Sequence, residues 1–284
     1  MIKIGFIDYY LDEYHALNYP KWLNDASNGE IQVCYAWAKS ESPLKDAKTN
    51  HMVAEELGIK LLDNIESVVE KSDCLIVLSP DNPEMHEELC QLPLRSKKLT
   101  YVDKTFAYDR ETALRIMRIA KESGTPFFST SSLRFSEEYL TVDKKNIDFI
   151  VAKGPGDFEN YFIHHLEPIV CLMGHEVEKI MYIGTPDTSC VVLQFSCGRY
   201  ATITMMGWEC PFGMAINYKG NISKIIEDAG DYNSPFIAKL VDFFKTGDVK
   251  VRSEETLQVM TILEYGHKAK KAPGIWIDIP KAEI

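Results

Sequence analysis

The apolar positions of this chain follow two different patterns. Up to about residue 130, short runs rich in β-branched and aromatic residues alternate with segments of helical spacing, as expected for parallel strands joined by crossover helices. The runs predict strands over Lys3–Ile7, Ile31–Trp37, Cys74–Leu78, Leu99–Val102 and Pro126–Ser129. Between them, helices are predicted over Met52–Leu57 and Arg110–Ser123, with Gly58 and Gly124 placed to stop them.

Beyond residue 130 a helix over Phe158–Met173 leads into alternating segments at Lys179–Gly184, Cys190–Phe195, Tyr200–Met205 and Met214–Tyr218. Alternation with a period of two marks antiparallel strands that bury one face. Cys197-Gly198-Arg199 and Lys219-Gly220-Asn221 read as turns. A last helix, Glu254–Lys271, carries Leu257, Met260, Ile262, Leu263 and His267 at spacings that place most of them on one face. The expected fold class is therefore α/β, with a doubly wound parallel sheet over residues 1–130. An α+β domain with a mostly antiparallel open sheet follows over 131–284, its final helix free to pack back on the first domain.

Composition narrows the partners. A formal net charge of -11 disfavours nucleic acid, whose backbone is held mainly by accumulated Lys and Arg. No apolar stretch reaches the roughly 18 residues of a membrane span, and the N-terminal apolar run is too short for a signal peptide. None of the seven cysteines forms a CxxC pair, and Cys34 and Cys74 sit in apolar runs. Reduced thiols in a cytoplasmic protein are expected. No metal is expected: His164 and Cys171 lie on the order of 10 Å apart along a helix, too far to share one ion, and Gly174 separates them from His175.

Several segments, in order, resemble the Gfo/Idh/MocA family of glucose-fructose oxidoreductase and inositol dehydrogenase-like enzymes. Ser79-Pro80-Asp81-Asn82 with His86 resembles the family's Thr-Pro-Asn turn beside the nicotinamide, and Asp103-Lys104-Thr105 its Glu-Lys-Pro motif. Arg134-Phe135 resembles the segment leading out of the first domain. Gly154-Pro155-Gly156, Asn160 and Ile163-His164 resemble the lead-in to the catalytic helix. The resemblance implies a Rossmann-type first domain, a substrate and dimerisation domain after it, and pairing into a homo-oligomer through the C-terminal sheet. It also implies hydride transfer between NAD or NADP and a sugar, cyclitol or related polyol.

In that chemistry a base takes the hydroxyl proton and a cation steadies the alkoxide. The resemblance assigns these tasks to His164 and Lys104, with Asn160 assisting where the family usually has Asp. Arg134, Tyr161 and His165 are the substrate-side candidates, Arg134 reading equally as a brace of the crossover between the domains. Asp8, Tyr9, Tyr10, Trp37, Lys39, Ser79, Pro80 and Asn82 are the cofactor-side candidates. Lys39 reads either as a solvated lysine or as a contact to an NADP 2'-phosphate.

The glycine fingerprint of a dinucleotide loop is missing. Its counterparts are Asp8, Tyr10 and Glu13, which crowd and repel a pyrophosphate and place carboxylates at the positive end of the following helix. The family's Lys-Pro bond is often cis, and Thr105 stands at that proline, where a cis bond is harder to form. A ligand-binding or regulatory relative that has lost dinucleotide binding is therefore the competing expectation.

Overall fold

Apolar runs that bury both faces build the first sheet. Its strands are β1 (Ile2–Asp8), β2 (Ile31–Ala38), β3 (Lys60–Leu61), β4 (Cys74–Val77), β5 (Thr100–Val102) and β6 (Phe127–Phe128). They pair in the order β3-β2-β1-β4-β5-β6, every pair parallel. Ile4, Phe6, Ile7, Leu75, Ile76 and Val77 at its centre are fully shielded from solvent. The crossovers carry α1 (Tyr14–Ala26), α2 (Asn50–Leu57), α3 (Ile65–Lys71), α4 (His86–Leu89) and α5 (Arg110–Ser123).

Helix α5 illustrates how local sequence fixes these elements. Asp109 caps its first turn by accepting from Thr112 N at 2.7 Å, and Ala113, Ile116, Met117 and Ala120 bury one stripe. Gly124 closes it in the left-handed conformation at φ 69°, as Gly58 closes α2 at φ 66°.

The computed structural model describes residues 1–284 and divides into two compact units: residues 1–130 with 237–252, and residues 131–236 with 253–284. The second unit begins with α6 (Glu137–Leu140), β7 (Ile147–Pro155) and α7 (Phe158–Met173). The strands β8 (Val177–Tyr182), β9 (Cys190–Phe195), β10 (Tyr200–Met206), β11 (Gly213–Tyr218) and β12 (Ile222–Ile226) follow. Helix α8 (Asn233–Thr246) falls mostly in the segment 237–252, while α9 (Ser253–Lys270) and β13 (Ile277–Asp278) belong to the second unit.

The second sheet runs β12-β11-β7-β10-β9-β8-β13 and is antiparallel except where β7 meets β10. The interior strand β7 is absent from the strands predicted by pattern. Asp148, Lys153 and the Gly154-Pro155-Gly156 run give it the composition of a loop, and only pairing on both edges makes it a strand. Alternate residues Ile150, Ala152, Ala201, Ile203, Val191, Leu193 and Ile180 form the buried face, and α7 and α9 pack within this unit. Helix α7 continues through Pro168 as one helix.

Candidate functional site

In a doubly wound sheet the ligand crevice lies beyond the carboxyl ends of the strands where the strand order reverses, here between β1 and β4. Four acidic residues gather there. Asp8 ends β1 with 1% exposure; its Oδ1 accepts from Tyr9 N at 2.6 Å, while Oδ2 is buried without a partner. Burial, reinforced by the charges of Asp103 and Asp81, pushes the Asp8 carboxyl well above the usual carboxylate range. Glu13 is the N-cap of α1, accepting from His15 N at 2.7 Å and from Ala16 N. Burial and then the neighbouring Asp8 push its carboxyl up as well, with His15 drawing it partly back.

Asp103 follows β5 and is completely buried, yet it behaves oppositely. Burial alone would raise it, but the charge and hydrogen bond of His15 outweigh burial and hold it below the usual range. His15 Nδ1 donates to Asp103 Oδ2, and its ring stacks on Tyr19 at 4.9 Å with 10° between planes. Burial draws the imidazole down, but Asp103 prevails and raises it above the ordinary histidine value. The Tyr101 hydroxyl lies 3.1 Å from Asp103 Oδ1 and 3.0 Å from the Thr130 carbonyl, toward which its proton is shared.

These residues do not fit a dinucleotide's pyrophosphate. A helix N-terminus attracts phosphate through its free backbone N–H groups. At α1 the Glu13 carboxylate already takes two of them, and the buried side chains of Tyr10 and Leu11 fill the loop where glycines would admit the ligand. Tyr9 packs on Tyr10, ring centroids 5.6 Å apart. The end of β2 lies alongside, since Lys39 N donates to the Asp8 carbonyl at 3.1 Å. The half-buried Trp37 sits on that strand, and the Lys39 ammonium is paired with Glu88.

The segments after β4 and β5 are tied together by one histidine. His86 is fully buried, with Nε2 2.8 Å from the Leu78 carbonyl and Nδ1 2.9 and 3.1 Å from the Thr105 and Phe106 carbonyls. Burial holds the imidazole below its ordinary pKa, and the three carbonyls and Asp103 oppose that shift. Ser79 adopts φ 104°, a left-handed conformation uncommon outside glycine, and donates from Oγ to the Asn82 carbonyl at 2.9 Å. Pro80 lies inside this turn, and Asn82 Nδ2 donates to Glu84 at 3.0 Å. The Lys104–Thr105 bond is cis although no proline is present. Lys104 is half-buried.

In the second unit, α7 gathers the other candidates. Asp157 caps it by accepting from Asn160 N at 2.8 Å, and the exposed Asn160 amide turns back to the same carboxylate at 3.2 and 3.3 Å. His164 Nδ1 shares a hydrogen bond of 2.6 Å with Ser131 Oγ, a partner that no sequence motif singled out. The Tyr161 ring meets His164 edge-on at 5.1 Å and Trp208 at 4.9 Å, and Trp208 is 65% exposed. Gly156 is required beside them, because a Cβ there, at φ 101°, would run into the Tyr161 ring. Gly154 likewise leaves room for His165 and Phe212.

His165 and Arg134 serve the interior. His165 Nε2 faces the Pro155 carbonyl at 3.3 Å, and burial pushes its pKa down to about 4. Arg134, 3% exposed, pairs with Glu167 at 2.9 Å and with Glu255. Both partners lie in the second unit. Glu167 and Glu255 carry no signal in sequence beyond an acidic residue on each helix.

No family profile matches the chain, and no curated protein is similar to it in sequence. Solved structures do share its fold. A probable dehydrogenase from Thermotoga maritima superposes with a TM-score of 0.79 at 15% identity, covering 98% of both chains. A putative myo-inositol dehydrogenase from Sinorhizobium meliloti 1021 gives 0.77 at 13% identity, covering 99% of this chain and 100% of that one. The WlbA dehydrogenase from Bordetella pertussis, in complex with NADH and UDP-GlcNAcA, gives 0.72 at 13% identity, covering 98% and 99%. The chain thus shares the fold of these dehydrogenases over 98% or more of its length, and no helix is long and apolar enough to cross a membrane.

Proposed function

We propose that this chain is a polyol-binding relative of CH–OH oxidoreductases in which the pyrophosphate grip on NAD or NADP has been replaced by internal carboxylates. The observation that carries this reading is the Glu13 carboxylate seated on His15 N and Ala16 N at the start of α1, beside the buried Asp8. A sugar or cyclitol is the ligand class favoured by the Tyr161–Trp208 aromatic pair next to His164. Rings of this kind offer an apolar face to sugar C–H groups, while imidazole and amide groups take the hydroxyls. Lys104 in the first unit, and His164 and Asn160 in the second, are the proposed hydroxyl-binding residues.

Titration of the purified chain with NADH and NADPH, followed by nicotinamide fluorescence, tests the first half. No saturation up to millimolar concentration is expected, and saturable binding of either would overturn it. Titration with myo-inositol, followed by tryptophan fluorescence or ligand-observed NMR, tests the second; Trp208→Ala is expected to abolish that binding.

A second reading, a working NAD(P)-dependent oxidoreductase of sugars or cyclitols, is favoured by the Ser131–His164 hydrogen bond. It requires nicotinamide binding in the same titration and loss of turnover in both Lys104→Ala and His164→Ala. Pairing of two copies through the open face of the second sheet is proposed on the exposed Val151, Met206 and Ile225 and the stacked Phe149 and Tyr200 rings. Light scattering checks it. Seven free thiols accord with a reducing, cytoplasmic setting.

A further inference from the structure

Within the first unit, an oriented imidazole and an unpaired ammonium stand at the carboxyl edge of the parallel sheet. His15, in the first turn of α1, donates from Nδ1 to Asp103 Oδ2 just after β5. The Tyr19 ring lies flat against the imidazole at 4.9 Å, and Tyr14 meets it edge-on at 5.8 Å. Asp103 is fully buried, with the Tyr101 hydroxyl 3.1 Å from its other oxygen. The ring is therefore fixed both in plane and in tautomer. A carboxylate that accepts from Nδ1 leaves the lone pair of the neutral imidazole on Nε2.

That nitrogen is the end left over. It has no protein partner and, unlike Asp8 Oδ2, it is not closed off from solvent; 16% of the side chain is exposed. Lys104, the residue after Asp103, is half-buried and enters no ion pair. Its charge is near enough to oppose protonation of His15. An ion pair that served only to hold α1 against β5 would need neither an open ring nitrogen nor an unpaired ammonium beside it. Together the two groups supply a base and a cation for a developing oxyanion, and neither is a redox group.

We propose that His15 is a catalytic base for enolisation of an α-hydroxy ketone, such as a keto sugar or keto cyclitol, with Lys104 holding the carbonyl oxygen and Asp103 as the positioning residue. The inference rests on the reading that no dinucleotide pyrophosphate enters at α1. Nε2 takes the proton from the carbon beside the carbonyl. The C–H electron pair becomes the carbon–carbon double bond, the carbonyl pair moves onto oxygen, and Lys104 steadies the charge there. Return of the proton to carbon restores His15, so nothing is oxidised or reduced and no co-reactant is consumed. Burial lowers the imidazole pKa, as Lys104 does, but Asp103 and Glu13 outweigh them and raise it. The free base is thus present only above the ordinary histidine range.

The test is hydrogen–deuterium exchange into the ketone. The full chain is incubated in D2O with dihydroxyacetone or 2-hydroxycyclohexanone, without nicotinamide, and loss of the C–H signals beside the carbonyl is followed by proton NMR. Exchange about 100-fold faster than with the same concentration of imidazole is expected, rising with pH through a midpoint above about 6.5. His15→Asn, which keeps a donor for Asp103, should slow exchange by about 100-fold, and Lys104→Met by about tenfold. Asp103→Asn should slow it and also move the midpoint down, a shift that a merely structural carboxylate would not cause. Circular dichroism checks each fold, with His15→Gln read in place of a His15→Asn that does not fold. Exchange no faster than with imidazole would overturn the proposal. So would an unchanged rate in the His15 variant or an unmoved midpoint in Asp103→Asn. Loss in His164→Ala with retention in His15→Asn would place the base on α7 instead. Absent exchange in a chain that also fails to bind NADH and NADPH sinks the base alone; saturable NADH binding sinks the reading beneath it.

Discussion

Each unit buries a cluster of charge, and the two clusters are balanced differently. In the second unit one guanidinium stands between two carboxylates: Arg134 faces Glu167 and Glu255, and its burial is offset first by Glu167. In the first, His15 is the single cation bonded to the cluster of Asp8, Glu13 and Asp103, and it pairs with Asp103 alone. Paired charge in the interior holds helices in register. Surplus charge of one sign has to be neutralised by protons, which makes the first cluster sensitive to pH and hostile to phosphate.

The largest effect should come from breaking the balanced cluster. Arg134→Met leaves Glu167 buried without its cation and is expected to cost about 3 to 5 kcal/mol in denaturant titration. Adding Glu167→Gln should recover much of that loss; if it does not, the pair is not the cause.

His15→Ala is expected to cost less, about 2 kcal/mol, because His15 keeps 16% side-chain exposure and water can partly replace it. The pH dependence of this cost follows from both partners. Asp103 is held low in the fold, so its contribution is present above the ordinary aspartate pKa and fades as the pH falls. His15 is held high, so its contribution is complete below the ordinary imidazole pKa and fades as the pH rises through the folded value. The difference between wild type and variant should peak at about pH 4 to 6.5. A cost that does not vary across that range would break the assignment of an ion pair.

Asp8→Asn should act in the other direction. The folded Asp8 holds its proton more tightly than the unfolded chain does, so the wild type loses stability as the pH rises above the ordinary aspartate range. The variant removes that penalty and is expected to gain on the order of 1 kcal/mol at pH 8, with the gain vanishing near pH 3 to 4. Thermal melts at the two pH values decide it. The smallest effect belongs to Lys39→Ala, whose exposed pair with Glu88 should contribute less than about 1 kcal/mol. A loss well beyond that would mean Lys39 has a structural task at the end of β2.

Much of this architecture was legible without coordinates. Continuous apolar runs announced the strands β1, β2, β4 and β5, and the caps and stripe of α5 fixed its length to the residue. The missing glycines also announced that the loop after β1 departs from a phosphate cradle. Strand β7 was not legible, because Gly154 and Pro155 suit a turn as well as a strand edge, and only its two partners decide between them. Nor were the roles of Arg134 and His165, which carry the chemistry of a binding site and spend it on Glu167, Glu255 and Pro155.

The sequence by itself determined many of the strands and helices, though not β7, and that acidic residues replace glycines at the start of α1, since both follow from local spacing and side-chain type. Tertiary structure decided which of those acids has a cation. Asp8, Glu13 and Asp103 are alike as carboxylates, and only the fold brings His15 to Asp103 and leaves Asp8 Oδ2 without a partner. Ionisation in a low-dielectric interior depends on the nearest few ångströms, which residues distant in sequence supply.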